Sequence, residues 1–141
     1  MDTRKVKING EELLKRFIAG ERNFSEAIVK KSRHELLFQE VDLSGINFER
    51  ATLSADFSGA TMRDSNFRCS VWGGYLSWED VDFTGSDFTG INNEVGCIFT
   101  RCNFSDTIWA KADLWQSGFE KCNLRGADFS DAIFSEVYFD Y

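Results

Sequence analysis

Proline is missing from all 141 residues. A proline removes a backbone donor and interrupts a hydrogen-bonded ladder, so no residue here forbids one. Histidine occurs once, at His34, and no serine or cysteine has an identifiable base partner for nucleophilic catalysis. The four cysteines form no Cys-x-x-Cys pair, so no zinc site is expected. Gly73-Gly74 is too short for a phosphate-binding loop, and no cofactor is expected. No apolar run reaches the roughly 20 residues that cross a bilayer. The start, Met1-Asp2-Thr3-Arg4-Lys5-Val6-Lys7, has no apolar stretch of the secretory kind. The expectation is a cytoplasmic, non-enzymatic protein with its cysteines reduced in the core. Positive charge is scarce after the first quarter. Residues 1–34 carry a net +4 and residues 35–141 a net −11, which together give −7. An acidic body argues against direct nucleic-acid binding.

What the chain has is a beat of five. From Cys97 onward a large apolar residue recurs at Phe99, Phe104, Trp109, Leu114, Phe119, Leu124, Phe129, Phe134 and Phe139. Two positions before each stands a smaller residue: Cys97, Cys102, Thr107, Ala112, Ser117, Cys122, Ala127, Ala132 and Val137. Asp or Asn often lies between, as in Ala112-Asp113-Leu114 and Ala127-Asp128-Phe129. Neither a helix nor an ordinary strand has a period of five; a fixed internal period is the signature of a repeat architecture.

This motif resembles the pentapeptide-repeat family, most clearly at Val41-Asp42-Leu43-Ser44-Gly45 and Ala127-Asp128-Phe129-Ser130-Asp131. The resemblance covers roughly residues 22–141. It implies an all-β repeat solenoid, a right-handed quadrilateral β-helix with four pentapeptides per coil. The bulky residue and the small one two before it would point inward, the other three outward. One unit cannot bury its own ring, so each coil leans on its neighbours. Asp and Asn suit a chain that turns every five residues. Six repeat acids, Asp42, Asp56, Asp82, Asp87, Asp113 and Asp128, hold this turn position and are read as structural rather than as acid–base pairs.

Residues 1–21 are read as an N-terminal segment with a short capping helix over 9–20. Asn9 is its N-cap, Glu11 and Glu12 fall in the first turn, and Leu13, Leu14, Phe17 and Ile18 form its apolar stripe, with Gly20 after the end. Residues 22–141 are read as about six coils. Their bulky positions begin at Phe24 and Val29, falter near His34, and resume at Phe38. Three steps are irregular: Leu53 to Phe57, Trp72 to Trp78, and Phe88 to Phe99. Sorted four to a coil, Phe38, Phe57, Trp78, Phe99, Phe119 and Phe139 make one aromatic column. The preceding column takes the His34 slot, Leu53, Trp72, Asn93 or Glu94, Leu114 and Phe134, and every slip falls on or beside it.

Rule-breaking clustered in space is where function is sought. Gly73, Gly74, Tyr75, Asn92, Asn93, Glu94 and Trp115 are therefore the candidate interaction patch, with Trp115 as an outward anchor. The class expected is a rigid scaffold for an unknown protein partner. The alternative comes from the resemblance: some family members mimic DNA in shape and charge and bind DNA gyrase. Cys102 and Cys122, 20 residues apart, should lie one coil apart at a spacing within the disulfide range, but with parallel side chains. The last coil has no cap. Family members resembling this one dimerise through their C-terminal ends, so Phe134, Tyr138, Phe139 and Tyr141 are the candidate end of a two-fold homodimer.

Overall fold

The computed structural model describes residues 5–141. The chain winds as a right-handed quadrilateral β-solenoid of about six turns. Each coil hydrogen-bonds in parallel to the next, as in the series Asn23–Asn47–Asn66–Asp87–Ile108–Asp128. Two faces carry regular strands. One is the sheet β1 (Lys7–Asn9), β2 (Ile28–Lys30), β3 (Thr52–Leu53), β4 (Val71–Trp72) and β6 (Asn92–Asn93). The adjoining face is the sheet β5 (Leu76–Glu79), β7 (Cys97–Thr100), β8 (Gly118–Glu120) and β9 (Tyr138–Asp140).

The bulky residues stack inside as four columns. Phe24, Phe48, Phe67, Phe88, Trp109 and Phe129 form the first; Ile8, Val29, Leu53, Trp72, Asn93, Leu114 and Phe134 the second. The third runs through Phe38, Phe57, Trp78, Phe99, Phe119 and Phe139, and the fourth through Leu43, Met62, Phe83, Phe104 and Leu124. Rings in one column stack: Phe99 on Phe119 at 5.2 Å between centroids, Phe119 on Phe139 at 5.3 Å. Rings from neighbouring columns meet edge to face, as Phe83 does with Phe88, the geometry that aromatic quadrupoles favour.

The second column corrects the sequence reading in two places. Val29, not the His34 slot, lies beneath Leu53. Residues 30–37 are instead one wide corner between Val29 and Phe38. Asn93, not Glu94, occupies the inward position. Cys69 also departs from expectation. It is exposed, at a position whose φ is +54, outside the core.

The helix is α1 (Gly10–Ile18). The Asn9 side chain accepts the Glu12 amide at 2.9 Å, satisfying one orphan donor. At the other end Gly20 donates to Phe17 O and Glu21 to Arg16 O, the paired closure that a left-handed residue permits; Gly20 has φ +106. Leu13 and Phe17 are buried against the first coil, whereas Ile18 is exposed. The strand before the helix was not anticipated: β1 pairs with β2, so the capping segment also enters the sheet. On the coil farthest from the helix, Phe134 and Phe139 are about 40% exposed.

Candidate functional site

Most corners are alike, and the sequence dictates how. The Asx side chain before the bulky residue accepts the amide two residues on: Asp42 from Ser44, Asp56 from Ser58, Asp82 from Thr84, Asp87 from Thr89, Asp113 from Trp115, Asp128 from Ser130. Asn47, Asn66, Asn103 and Asn123 do the same. Two residues after the bulky one the backbone takes positive φ, at Gly45, Arg50, Asp64, Gly85, Lys111 and Asp131 among others. The turn then closes on a bond such as Ile46 N to Leu43 O.

The corner between the second and third columns breaks this rule. Coil by coil the step across it is Val29 to Phe38, Leu53 to Phe57, Trp72 to Trp78, Asn93 to Phe99, Leu114 to Phe119 and Phe134 to Phe139. All other corners keep five. In the first coil the excess residues form a loop held against α1. The Glu11 carboxylate accepts the Arg33 amide at 2.7 Å and the His34 amide at 3.1 Å. Burial pushes the Glu11 carboxyl up, but its own backbone amide, the Arg33 and His34 amides and the nearby imidazole outweigh it and hold its pKa below the ordinary value. The Ser32 hydroxyl donates to the His34 carbonyl rather than to its ring, so these two side chains form no nucleophile–base pair.

Two clefts open along this corner. The larger, about 310 Å³, lies between the 31–36 loop and the strand that follows Tyr75, with Ser54 and Asp56 also lining it. The smaller, about 170 Å³, continues past Tyr75 to Val95, Gly96, Ile98 and Gln116. Gly74, at φ +81, turns the chain so that Tyr75 stands 85% exposed between them. Gly96 is required differently: it has φ +92, and a Cβ there would sit 2.7 Å from Gln116 O.

Of the expected patch, Gly73, Gly74 and Tyr75 form the third coil's part of the corner, and Asn92 and Glu94 are exposed on the fourth. Asn93 is not on the surface. It is 2% exposed, its amide donates to Ser117 Oγ, and its carbonyl oxygen accepts the Gly96 amide at 3.1 Å. It shapes the corner from inside. Trp115 is one coil beyond, two residues after Asp113, whose carbonyl accepts the Asn93 amide; it is 38% exposed. The sequence reading missed the 31–36 wall, although the broken beat there was its signal, and missed Ile98, which faces outward on β7.

At the C-terminal end, Phe134, Phe139 and Tyr141 are exposed on the last coil. Tyr138 lies sideways along the outer face. Its ring occupies the space above Gly118 and its hydroxyl donates to Glu120 at 2.8 Å.

The acidic surface is partly neutralised across coils. Arg63 pairs with Asp82 at 2.8 Å, Arg68 with Asp87 at 3.0 Å, and Arg101 with both Asp80 and Glu79. Burial raises the Asp82 and Asp87 carboxyls, but the Thr84 or Thr89 hydroxyl and the facing arginine together hold each below its ordinary value. No cluster of three or more metal-ligating side chains occurs among the described residues, and none of their helices is long and apolar enough to cross a membrane.

Comparison with known proteins places this geometry. A model of pentapeptide repeats matches residues 37–69 and 97–136 in eight copies. No curated protein matches the chain. Among solved structures, a pentapeptide repeat protein of the Arabidopsis thaliana thylakoid lumen is 27% identical with a TM-score of 0.61. The match covers 68% of this chain and 66% of that one, so this chain spans just under two thirds of that protein's length. HetL, a pentapeptide repeat protein involved in heterocyst differentiation regulation in Nostoc, is 14% identical with a TM-score of 0.40, over 92% and 96% of the two chains. QnrB1, a plasmid-mediated fluoroquinolone resistance protein, is 20% identical with a TM-score of 0.45, over 94% and 72%.

Proposed function

The chain belongs to the pentapeptide-repeat family, and on that premise we propose that it is a non-enzymatic scaffold that presents its irregular corner to a protein partner. The observation that carries this reading is confinement. Every departure from five residues falls at one corner, where two clefts flank an exposed Tyr75. The remaining corners keep the five-residue turn, and the recess at Gln39, Gly59 and Asp80 on the next corner is smaller, about 100 Å³. Exposed aromatic anchors beside shaped recesses suit protein recognition. Capture from the host's lysate with the native chain and with a Tyr75→Ala/Trp115→Ala variant tests it. A partner retained by the native chain and by a Lys111→Ala control, but lost by the double variant, is the expected result. Equal recovery on all three sinks the reading.

The net −11 of residues 35–141 favours a second reading, an acidic DNA mimic that binds a DNA-binding enzyme such as DNA gyrase. Six acids committed to turn bonds and three arginines bridging coils weigh against it. A decoy would compete with DNA for a topoisomerase, with strong salt dependence. The exposed Phe134, Phe139 and Tyr141 support a homodimer joined end to end through these residues, with Tyr138 flanking the contact. The four unpaired thiols support a cytoplasmic setting, which cell fractionation decides.

A further inference from the structure

We propose that Cys102 and Cys122 form a thiol-oxidation site at which a small-molecule disulfide links two successive coils. The inward small-residue column on this side runs Val41, Ala60, Val81, Cys102, Cys122, and only its last two rungs are both cysteine. Asn103 and Asn123 are bridged in parallel, and the Asn123 amide donates to Cys102 O at 3.0 Å. The two Cα atoms are therefore one rung apart, roughly 4.8 Å, within the range a disulfide spans. Both sulfurs lie on the same side of their coils. Cys102 Sγ donates to Trp78 O at 3.4 Å and Cys122 Sγ to Phe99 O at 3.3 Å, and Trp78 and Phe99 are themselves paired rungs.

Parallel side chains at rung spacing sit about 1 Å farther apart at Cβ than a relaxed disulfide requires. Closing the bond therefore needs the two coils to tilt together by about that amount at the Cys102 and Cys122 rungs.

The two thiols are also unequal. Cys102 is buried, whereas Cys122 is half exposed. The closeness of the two thiols lowers Cys122 below its ordinary value, and the same closeness together with burial raises Cys102. Cys122 is thus the attacking thiol. Its thiolate attacks a sulfur of the small disulfide, forming a mixed disulfide and expelling one thiolate. Cys102 then gives up its proton and attacks the Cys122 sulfur, closing the bond and expelling the second thiol. The protein dithiol is oxidised by two electrons and one small disulfide is reduced to two thiols.

The experiment exposes the full native chain to oxidised glutathione and then alkylates the remaining thiols. The expected product has lost two alkylatable thiols, carries no glutathione, and yields a cross-linked peptide pair containing Cys102 and Cys122. Its melting temperature rises by about 5–10 °C, since the bond closes a ring of one coil. Cys102→Val places in the fourth rung the residue that Val81 supplies to the third. It should fold and stop at the glutathione adduct on Cys122, with no thermal gain. Three results overturn the site: a native chain that stops at the adduct, a cross-link through Cys69 or Cys97, or no loss of thiols in the folded protein.

Discussion

Replacing Phe119 with alanine tests the stacking register directly. The ring is 1% exposed. It lies between Phe99 and Phe139 in its own column and meets Phe104, Trp109 and Phe129 from the sides. Truncating a Phe so enclosed leaves a cavity that the paired coils on either side cannot close, at a cost of about 3–5 kcal/mol. Phe139 is in the same column but 40% exposed, stacked on one side only and touched laterally by Phe134. Scaling by what it buries, Phe139→Ala should cost about 1–2 kcal/mol. Glu120→Ala gives up an exposed bond from Tyr138 and a long one from Thr100 at 3.4 Å and should cost about 0.5 kcal/mol. In a chain of this length 1 kcal/mol shifts the melting temperature by about 3–5 °C. Phe119→Ala should therefore melt at least 9 °C below the native protein and Glu120→Ala within 3 °C of it. Calorimetry or circular dichroism reads the three side by side. Equal losses at Phe119 and Phe139, or at Phe119 and Glu120, would refute the column.

Gly96→Ala should destabilise by about 2–3 kcal/mol in urea titration, because its Cβ meets Gln116 O at 2.7 Å and its φ is +92; a neutral change would remove the close approach. Lys111 holds φ +58 on a regular corner, so Lys111→Gly should be neutral to about 1 kcal/mol stabilising, strain relieved against glycine's entropy, and a loss of stability would contradict the turn. Asp82 and Asp87 are held below their ordinary pKa when folded. Their contribution is present above the unfolded carboxylate value near 4 and is lost as pH falls through the lower folded value. The melting temperature should thus stay level near neutrality and drop below about pH 4, less steeply in Asp82→Asn/Asp87→Asn, and an identical profile for that variant would dismiss both carboxylates. Light scattering at tens of micromolar should give a dimer for the intact chain and a monomer for a chain lacking Tyr138–Tyr141; a monomeric intact chain defeats the end-to-end assembly.

The beat of five and its Asx partners made the core legible because one side-chain size rule repeats in every coil. Phe99, Phe104 and Trp109 had only to be spaced correctly to be placed. The positive-φ position was hidden because Glu, Arg, Asp, Cys, Lys and Gln all occupy it, although recurring glycines at Gly45, Gly59, Gly85, Gly90 and Gly126 carried the hint. β1 was invisible, since a three-residue strand with one buried side chain has no period. Asn93 read as a failed core position. Only the hydroxyl of Ser117 one coil away and the amide of Gly96 explain a polar residue there, and no linear pattern links residues 24 apart by chemistry. The patch was approached from spacing alone, which located the corner but not which side chains face out of it.

The successive bridges from Asn23 to Asn47, Asn66, Asp87, Ile108 and Asp128 span coils of unequal length, yet the rings above and below stay aligned. One corner acts as an expansion joint: each turn of the winding absorbs its own surplus or deficit there and hands the next turn a corrected start. Length errors consequently never accumulate along the axis. Foreign segments spliced between Trp72 and Leu76, or between Asn93 and Cys97, should ride on the outside while the bore of the tube keeps its dimensions, whereas a single extra residue between Phe104 and Trp109 would put every later ring out of step.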